Sequence, residues 1–195
     1  MERQIILKTS VDVARIRRSC RIVERVIRML APYVRPGFTT RELDRLAERF
    51  LRENGAESSL KGYRGFPACL CASVNNVAAH GVPTGTPIEQ GDVVTLDLTV
   101  NVEGWHGDAA WTFLAGGRSK AGASIDARRL VTGAWAASVA GVFAVAAGKT
   151  FGDVGAAIQE AAHKHGCTVV EDYVGHGIGQ GMHEDPQVPN FGQPG

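Results

Sequence analysis

The chain has 195 residues, a net charge of +1 and 44% hydrophobic residues. That is enough apolar material for one sizeable core, and the charge balance gives no reason to invoke nucleic acid or an anionic membrane as a partner. No apolar run reaches the roughly 18 residues of a membrane-spanning helix, Met1–Ser10 lacks the core and cleavage site of a signal peptide, and Cys20, Cys69, Cys71 and Cys167 suggest neither a zinc knuckle nor a disulfide framework, so a reducing cytoplasm is expected.

Four helices are predicted. Val13, Ile16, Cys20, Val23, Ile27 and Leu30 recur at helical spacing and stop at Pro32. Thr39 with Glu42 has the form of a capping box, and the helix behind it ends at Asn54-Gly55. A third helix is expected from Ser124 to Ala147. A fourth starts near Thr150, with Asp153 in its first turn, and ends at Gly166. Between the second and third lies a strand-rich block, Tyr63 to Phe113, punctuated by glycine and proline. The first helix is crowded with arginine (Arg15, Arg17, Arg18, Arg21, Arg25, Arg28), which reads as a solvated face, with a docking surface for an acidic or RNA-rich partner as the alternative.

Within the strand block, Val93–Val100 alternates strictly, with Thr95, Asp97 and Thr99 on one face. Asn101–Gly104 reads as a turn and Trp105–Phe113 as the returning strand. With Val102-Glu103 as the loop, Asp97 is expected directly opposite Asp108, and His106 opposite Thr99 on the same face but peripheral. Facing carboxylates repel unless they share a proton or bind a cation. A cation is the expectation here.

The second dense cluster is Val174–Val188. Glycines at 175, 177, 179 and 181 strip side chains from around His176 and leave it and His183 presented to their surroundings. Alone, such a stretch reads as a flexible loop. With a carboxylate pair elsewhere, Asp, Asp and His make an oxygen–nitrogen donor set suited to Mn, Fe, Co or Zn. His80, flanked by Gly81 and Pro83, sits at an expected strand end, where sites gather. His163 and His165 fall in a helix's last turn and suit its dipole.

A weak internal repeat matches Thr39 to Thr150, Glu42 to Asp153 and Gly55 to Gly166, each at an offset of 111 residues. Adding 111 to Asp97 points to position 208, past Gly195. By this logic the second half is expected to be incomplete.

Taken together, Gly62-Tyr63 to Pro67, Ser73-Val74-Asn75 through Pro83, Asp97–Val100, Gly107-Asp108 and Gly175–Glu184 resemble the type I, bacterial methionine aminopeptidases, from the first helix to the last residue. The resemblance implies an α+β pita-bread fold (two layers, two pseudo-symmetric halves), a single domain over residues 1–195 truncated at its C-terminal end. It implies a metal-dependent enzyme that removes the first methionine from nascent polypeptides. Partners would be nascent N-termini, with ribosome proximity and no membrane. Asp97, Asp108 and His176 would be ligands to a pair of divalent metals (Co, Mn, Fe or Zn) that activate a water for attack on the first peptide carbonyl. His183 would stabilise the oxyanion and His80 position the scissile amide. Tyr63, Phe66 and Cys71 would line the methionine side-chain pocket, and Asn75 and Val77 would match a monovalent-cation loop.

Three departures from the family pattern stand out. Two further glutamate ligands are expected downstream, and neither Glu171 nor Glu184 occupies their place. Ala109-Ala110 replace hydroxyl residues after Asp108, and Met182 stands where an aromatic residue is common. The competing readings are a non-catalytic pita-bread module that binds peptides or proteins, and another pita-bread hydrolase of the aminopeptidase P or prolidase type.

Overall fold

A computed structural model of the chain describes residues 5–116 and 122–195. The chain divides into two compact units. One comprises Leu7–Ala123 with Ile178–Met182; the other comprises Met1–Ile6, Ser124–Gly177 and His183–Gly195.

The first unit opens with helix α1 (Ser10–Leu30), started by a reciprocal cap in which Thr9 and Asp12 each accept the other's backbone N–H. The same device, Thr39 with Glu42, starts α2 (Thr40–Glu53). Four strands follow: β1 (Glu57–Ser58), β2 (Cys71–Val74), β3 (Val93–Val102) and β4 (Trp105–Leu114). β3 is the centre of an antiparallel sheet. It pairs along its whole length with β4, and with β2 and β1 at successive stretches of its other edge. Val94, Leu96, Leu98, Val100 and Val102 are buried on one face of β3 against Val23, Val26 and Leu30 of α1 and Leu43, Ala47 and Leu51 of α2. Each of these valine and leucine side chains contributes about 1.5–3 kcal/mol on burial. The opposite face carries Thr95, Asp97, Thr99 and Asn101.

Two expectations are corrected here. The inward face of α1 is Ser19, Ile22, Val23, Val26 and Leu30, with Val13 and Cys20 exposed. Backbone proximity explains the rotation. A Cβ on Gly107 of β4 would lie 2.5 Å from the Cys20 nitrogen, so the helix needs a small residue at the crossing. Ser19 provides it and donates its hydroxyl to the Trp105 carbonyl at 2.8 Å.

The hairpin register is also different. Val102 pairs with Trp105, so Glu103-Gly104 form the loop. Both have positive φ, 53° and 83°, the signature of a type I′ turn, and Asn101 Oδ1 accepts the Gly104 N–H. Asp97 therefore faces Ala110, Asp108 faces Thr99, and His106 faces Asn101. The shift is by two residues, which preserves the face.

The second unit holds α3 (Ile125–Ala144), α4 (Phe151–Lys164) and a two-stranded sheet of β5 (Gly175–Gly177) and β6 (Glu184–Val188). α3 ends three residues before the expected Ala147, with Val145 already extended. Its buried residues are Gly133, Ala137 and Gly141, four apart, and Gly141 lies against Ile158 of α4. Ile125, Trp135, Val142 and Phe143 of α3 are exposed.

The repeat is visible in the helices. α2 and α4 are each 14 residues long, each begins with a threonine–acid capping box, and each is followed by a glycine of positive φ, Gly55 and Gly166. Their first residues, Thr40 and Phe151, keep the offset of 111. Among the described residues, no helix is long and apolar enough to cross a membrane.

Candidate metal centre

In the first unit the polar face of the sheet forms a ladder. Thr95 and Thr112 hydroxyls meet at 2.9 Å, Asp97 faces Ala110, Thr99 faces Asp108, and Asn101 meets His106. Asp97 and Asp108 are thus diagonal neighbours on one face, both half-buried. Diagonal Cα atoms in such a pair lie about 7–8 Å apart, within reach of a common ion. On the other edge of β3, Cys71 is the direct partner of Asp97. Burial pushes the Cys71 thiol up to about 12, and the charges of Asp97 and then Asp108 push it in the same direction. The sulfur thus feels both carboxylates. A concentrated negative field with oxygen donors on one face fits a divalent cation.

His106 is an organiser of this face. Asn101 can only donate its Nδ2 hydrogen, so Nε2 of a neutral His106 accepts at 3.2 Å and Nδ1 donates to the Ser59 hydroxyl at 2.8 Å. Its backbone N–H donates to the Gly179 carbonyl at 2.8 Å. The glycine between the two histidines is therefore fastened to β4 two residues from Asp108, a contact that sequence spacing does not signal.

His80 is exposed and holds a left-handed φ of 55°. Its successor Gly81 is fixed against β2, donating its N–H to Ser73 Oγ at 3.1 Å and accepting from Ala72 at 2.8 Å. Backbone strain of this kind concentrates at functional sites. Tyr63 and Phe66 sit in a tight turn, Tyr63 exposed and Phe66 half-buried. Asn75, also left-handed, uses its side chain to bridge Asp92 and the Val93 N–H, while Val77 turns back onto the Val74 carbonyl.

In the second unit, His176 lies on β5 and pairs with Gln187. The strand is tightly apposed to β6: a Cβ on Gly177 would come within 2.6 Å of the Asp185 carbonyl oxygen, so only glycine fits. His176 Nδ1 lies 2.9 Å from the Gly177 carbonyl. A carbonyl can only accept, so Nδ1 donates and Nε2 carries the lone pair of the neutral ring. A backbone bond of this kind orients metal-ligating histidines. The rings of His176 and His183 lie 4.3 Å apart, tilted by 59°, and both line a concavity of about 380 Å³ with Glu184 and Asp185. Among the described residues, no group of three or more His, Cys, Asp and Glu side chains is arranged so that it could hold a metal ion. The structure brings Asp97, Asp108 and Cys71 together in one unit and His176 with His183 in the other.

A same-face carboxylate pair on a hairpin and a glycine-spaced histidine pair are set in an α+β fold with two related halves. Residues 14–195 match the model of metallopeptidase family M24, and the chain belongs to that family. It is 41% identical over 191 residues to the methionine aminopeptidase of Clostridium perfringens, covering 98% of this chain and 75% of that protein. It is 37% identical to methionine aminopeptidase 1 of Bacillus subtilis, covering 97% of this chain and 75% of that protein. The crystal structure of the Rickettsia prowazekii methionine aminopeptidase superimposes with a TM-score of 0.93 at 34% identity, over 98% of this chain and 75% of that one. The pita-bread fold and divalent-metal dependence follow from this membership.

Proposed function

We propose that this chain is a methionyl aminopeptidase that hydrolyses the first peptide bond of polypeptides beginning with methionine, in the cytoplasm and on nascent chains. The observation that carries the reading is the same-face pair Asp97 and Asp108 on a hairpin whose relatives, at 37–41% identity, are methionine aminopeptidases. A non-catalytic binding module or a prolidase-type hydrolase is not favoured by those relatives. The single pita-bread domain over residues 1–195 and the proximity of the substrate to the ribosome belong to the same proposal.

Asp97 and Asp108 are the carboxylate ligands and His176 the imidazole ligand, binding through Nε2 because Nδ1 is spent on the Gly177 carbonyl. The site takes two divalent ions of the Co, Mn, Fe or Zn kind, and Asn75 and Val77 serve a monovalent cation. The divalent ions supply Lewis acidity and a water of lowered pKa. His183 donates a hydrogen bond to the oxygen that gains charge as the carbonyl is attacked. His80, set by the Gly81 pairing with β2, orients the scissile amide. Tyr63, Phe66 and the neutral thiol of Cys71 form the slot for an unbranched thioether.

Free methionine released from Met-Ala-Ser, compared with cleavage of an Xaa-Pro dipeptide, tests the reading. Release from the tripeptide and none from the dipeptide is expected. The reverse preference would assign the chain to the prolidase type, and cleavage of neither would favour a binding module.

A further inference from the structure

Asp44, on α2, is 25 and 26 positions away in sequence from the two residues it holds, Cys69 and Leu70. Its Oδ1 accepts from the backbone N–H of Cys69 at 2.8 Å, from the N–H of Leu70 at 3.2 Å and from the Cys69 thiol at 3.0 Å. One carboxylate oxygen thus gathers three donors at the point where the chain enters β2. Burial, and next the bond to Asp44, push the Cys69 thiol well up, so it stays a donor.

The same turn is gripped from its other side. Ser58 Oγ donates to the Cys69 carbonyl at 2.6 Å and accepts from Leu60 N–H at 3.1 Å and Lys61 N–H at 3.4 Å. Leu60 in turn accepts the Tyr63 N–H at 2.9 Å, and the Phe66 carbonyl accepts the Gly62 N–H at 2.8 Å. A continuous path of hydrogen bonds therefore runs from Asp44 through Cys69 and Ser58 to the Tyr63–Phe66 turn. In the other direction, Leu70 is followed by Cys71, which pairs with Asp97.

We infer that Asp44 is a positioning residue for the methionine side-chain slot, holding in place the backbone from which Cys71 on one side and Tyr63 and Phe66 on the other are hung. The inference rests on the reading of those three residues as the slot. Asp44 touches no substrate. It sets the separation of the slot's walls, and its loss removes that constraint. A charge-assisted acceptor with three donors is a strong fastening.

The test titrates L-methionine calorimetrically into the Co-loaded chain and compares Asp44→Ala, Asp44→Asn and Cys71→Ser with the parent. Asp44→Ala is expected to weaken methionine binding about tenfold. Asp44→Asn should do so less, because it keeps an acceptor oxygen. A merely structural role would lower the unfolding midpoint and the number of binding-competent molecules while leaving their affinity unchanged. Unchanged affinity in Asp44→Ala alongside weakened binding in Cys71→Ser would overturn the inference. Unchanged affinity in both, or no binding by the parent, would overturn the slot reading itself and the inference with it. Should Asp44→Ala fail to fold, Ser58→Ala removes the other grip and must weaken methionine binding in the same way. Parental affinity in that variant would count against Asp44.

Discussion

Cys71 of β2 stands directly across from Asp97 of β3. A thiol beside a carboxylate, with a second carboxylate on the same face, ionises only at the expense of burial and of two repulsions, and its pKa of about 12 reflects that order of causes. The proposed slot is therefore walled by a neutral sulfur next to a charged centre. The thiolate is the alkylating species, so Cys71 should resist iodoacetamide in the native, metal-free chain at about pH 8. Peptide mapping after alkylation should find it unmodified. Rapid labelling of Cys71 would show that the thiol lies outside this field.

His183 is exposed and lies 4.3 Å, ring to ring, from His176, yet its proposed role differs. His183→Ala should leave divalent-metal affinity within about threefold of the parent and lower kcat by roughly 10²–10³, as expected for a lost oxyanion donor. Calorimetry with Co together with steady-state cleavage of Met-Ala-Ser measures both. A large loss of metal would make His183 a ligand.

Gly107 sets how closely α1 approaches β4. A methyl group there would meet the Cys20 nitrogen at 2.5 Å and the Ser19 carbonyl carbon at 2.7 Å, both backbone atoms that cannot rotate away. Gly107→Ala should destabilise the chain by about 1–3 kcal/mol through overpacking. Urea unfolding at constant m-value gives the number directly, and a stability equal to the parent's would mean that the helix can move off without loss.

Three capping carboxylates link stability to acid. Bonds from Thr9 hold Asp12 below its ordinary 3.8, bonds from Thr39 hold Glu42 below 4.5, and the Thr150 backbone holds Asp153 below 3.8. Each pKa is depressed by folding, so each contribution is present above the ordinary value and is lost as pH falls through the lower folded value. Glu42 is exposed, while Asp12 and Asp153 are half-buried at the helix ends, and all three stay close enough to water for the effect to be modest. Urea unfolding between about pH 5 and 3 should show stability falling with pH, and Glu42→Gln should flatten part of that slope. A slope unchanged in the variant would remove Glu42 from the explanation.

What was legible in the sequence was mostly local. The Thr39–Glu42 and Thr150–Asp153 boxes and the stop glycines lie within a few residues of one another, and the structure forms both helices where they indicate. The face shared by Asp97 and Asp108 was also legible, because strand alternation survives a shift by two. The register was not, since Val102-Glu103 and Glu103-Gly104 are both plausible loops and only the positive φ of the latter pair decides. Of the α1 stripe, Val23 and Leu30 are buried and Ile27 packs on the core, whereas Ser19 is buried in place of Cys20 by a backbone approach at Gly107, which hydrophobic spacing cannot report. The Asp44–Cys69 bonds and the His106–Gly179 bond span long stretches of chain and leave no periodic trace. The roles of His80, His176 and His183 came from the family resemblance.

Cobalt titration followed by visible absorption tests the central claim most directly, because its ligand-field bands report the coordinating side chains without needing turnover. The parent chain should bind Co with d–d bands, and Asp97→Ala, Asp108→Ala and His176→Ala should each lose more than about a hundredfold in affinity and change the spectrum, a ligand costing more than the 10–100-fold of an outer hydrogen-bond partner. Parental affinity and an unchanged spectrum in any of the three would contradict its assignment as a ligand, and the same result in all three would place the metal elsewhere.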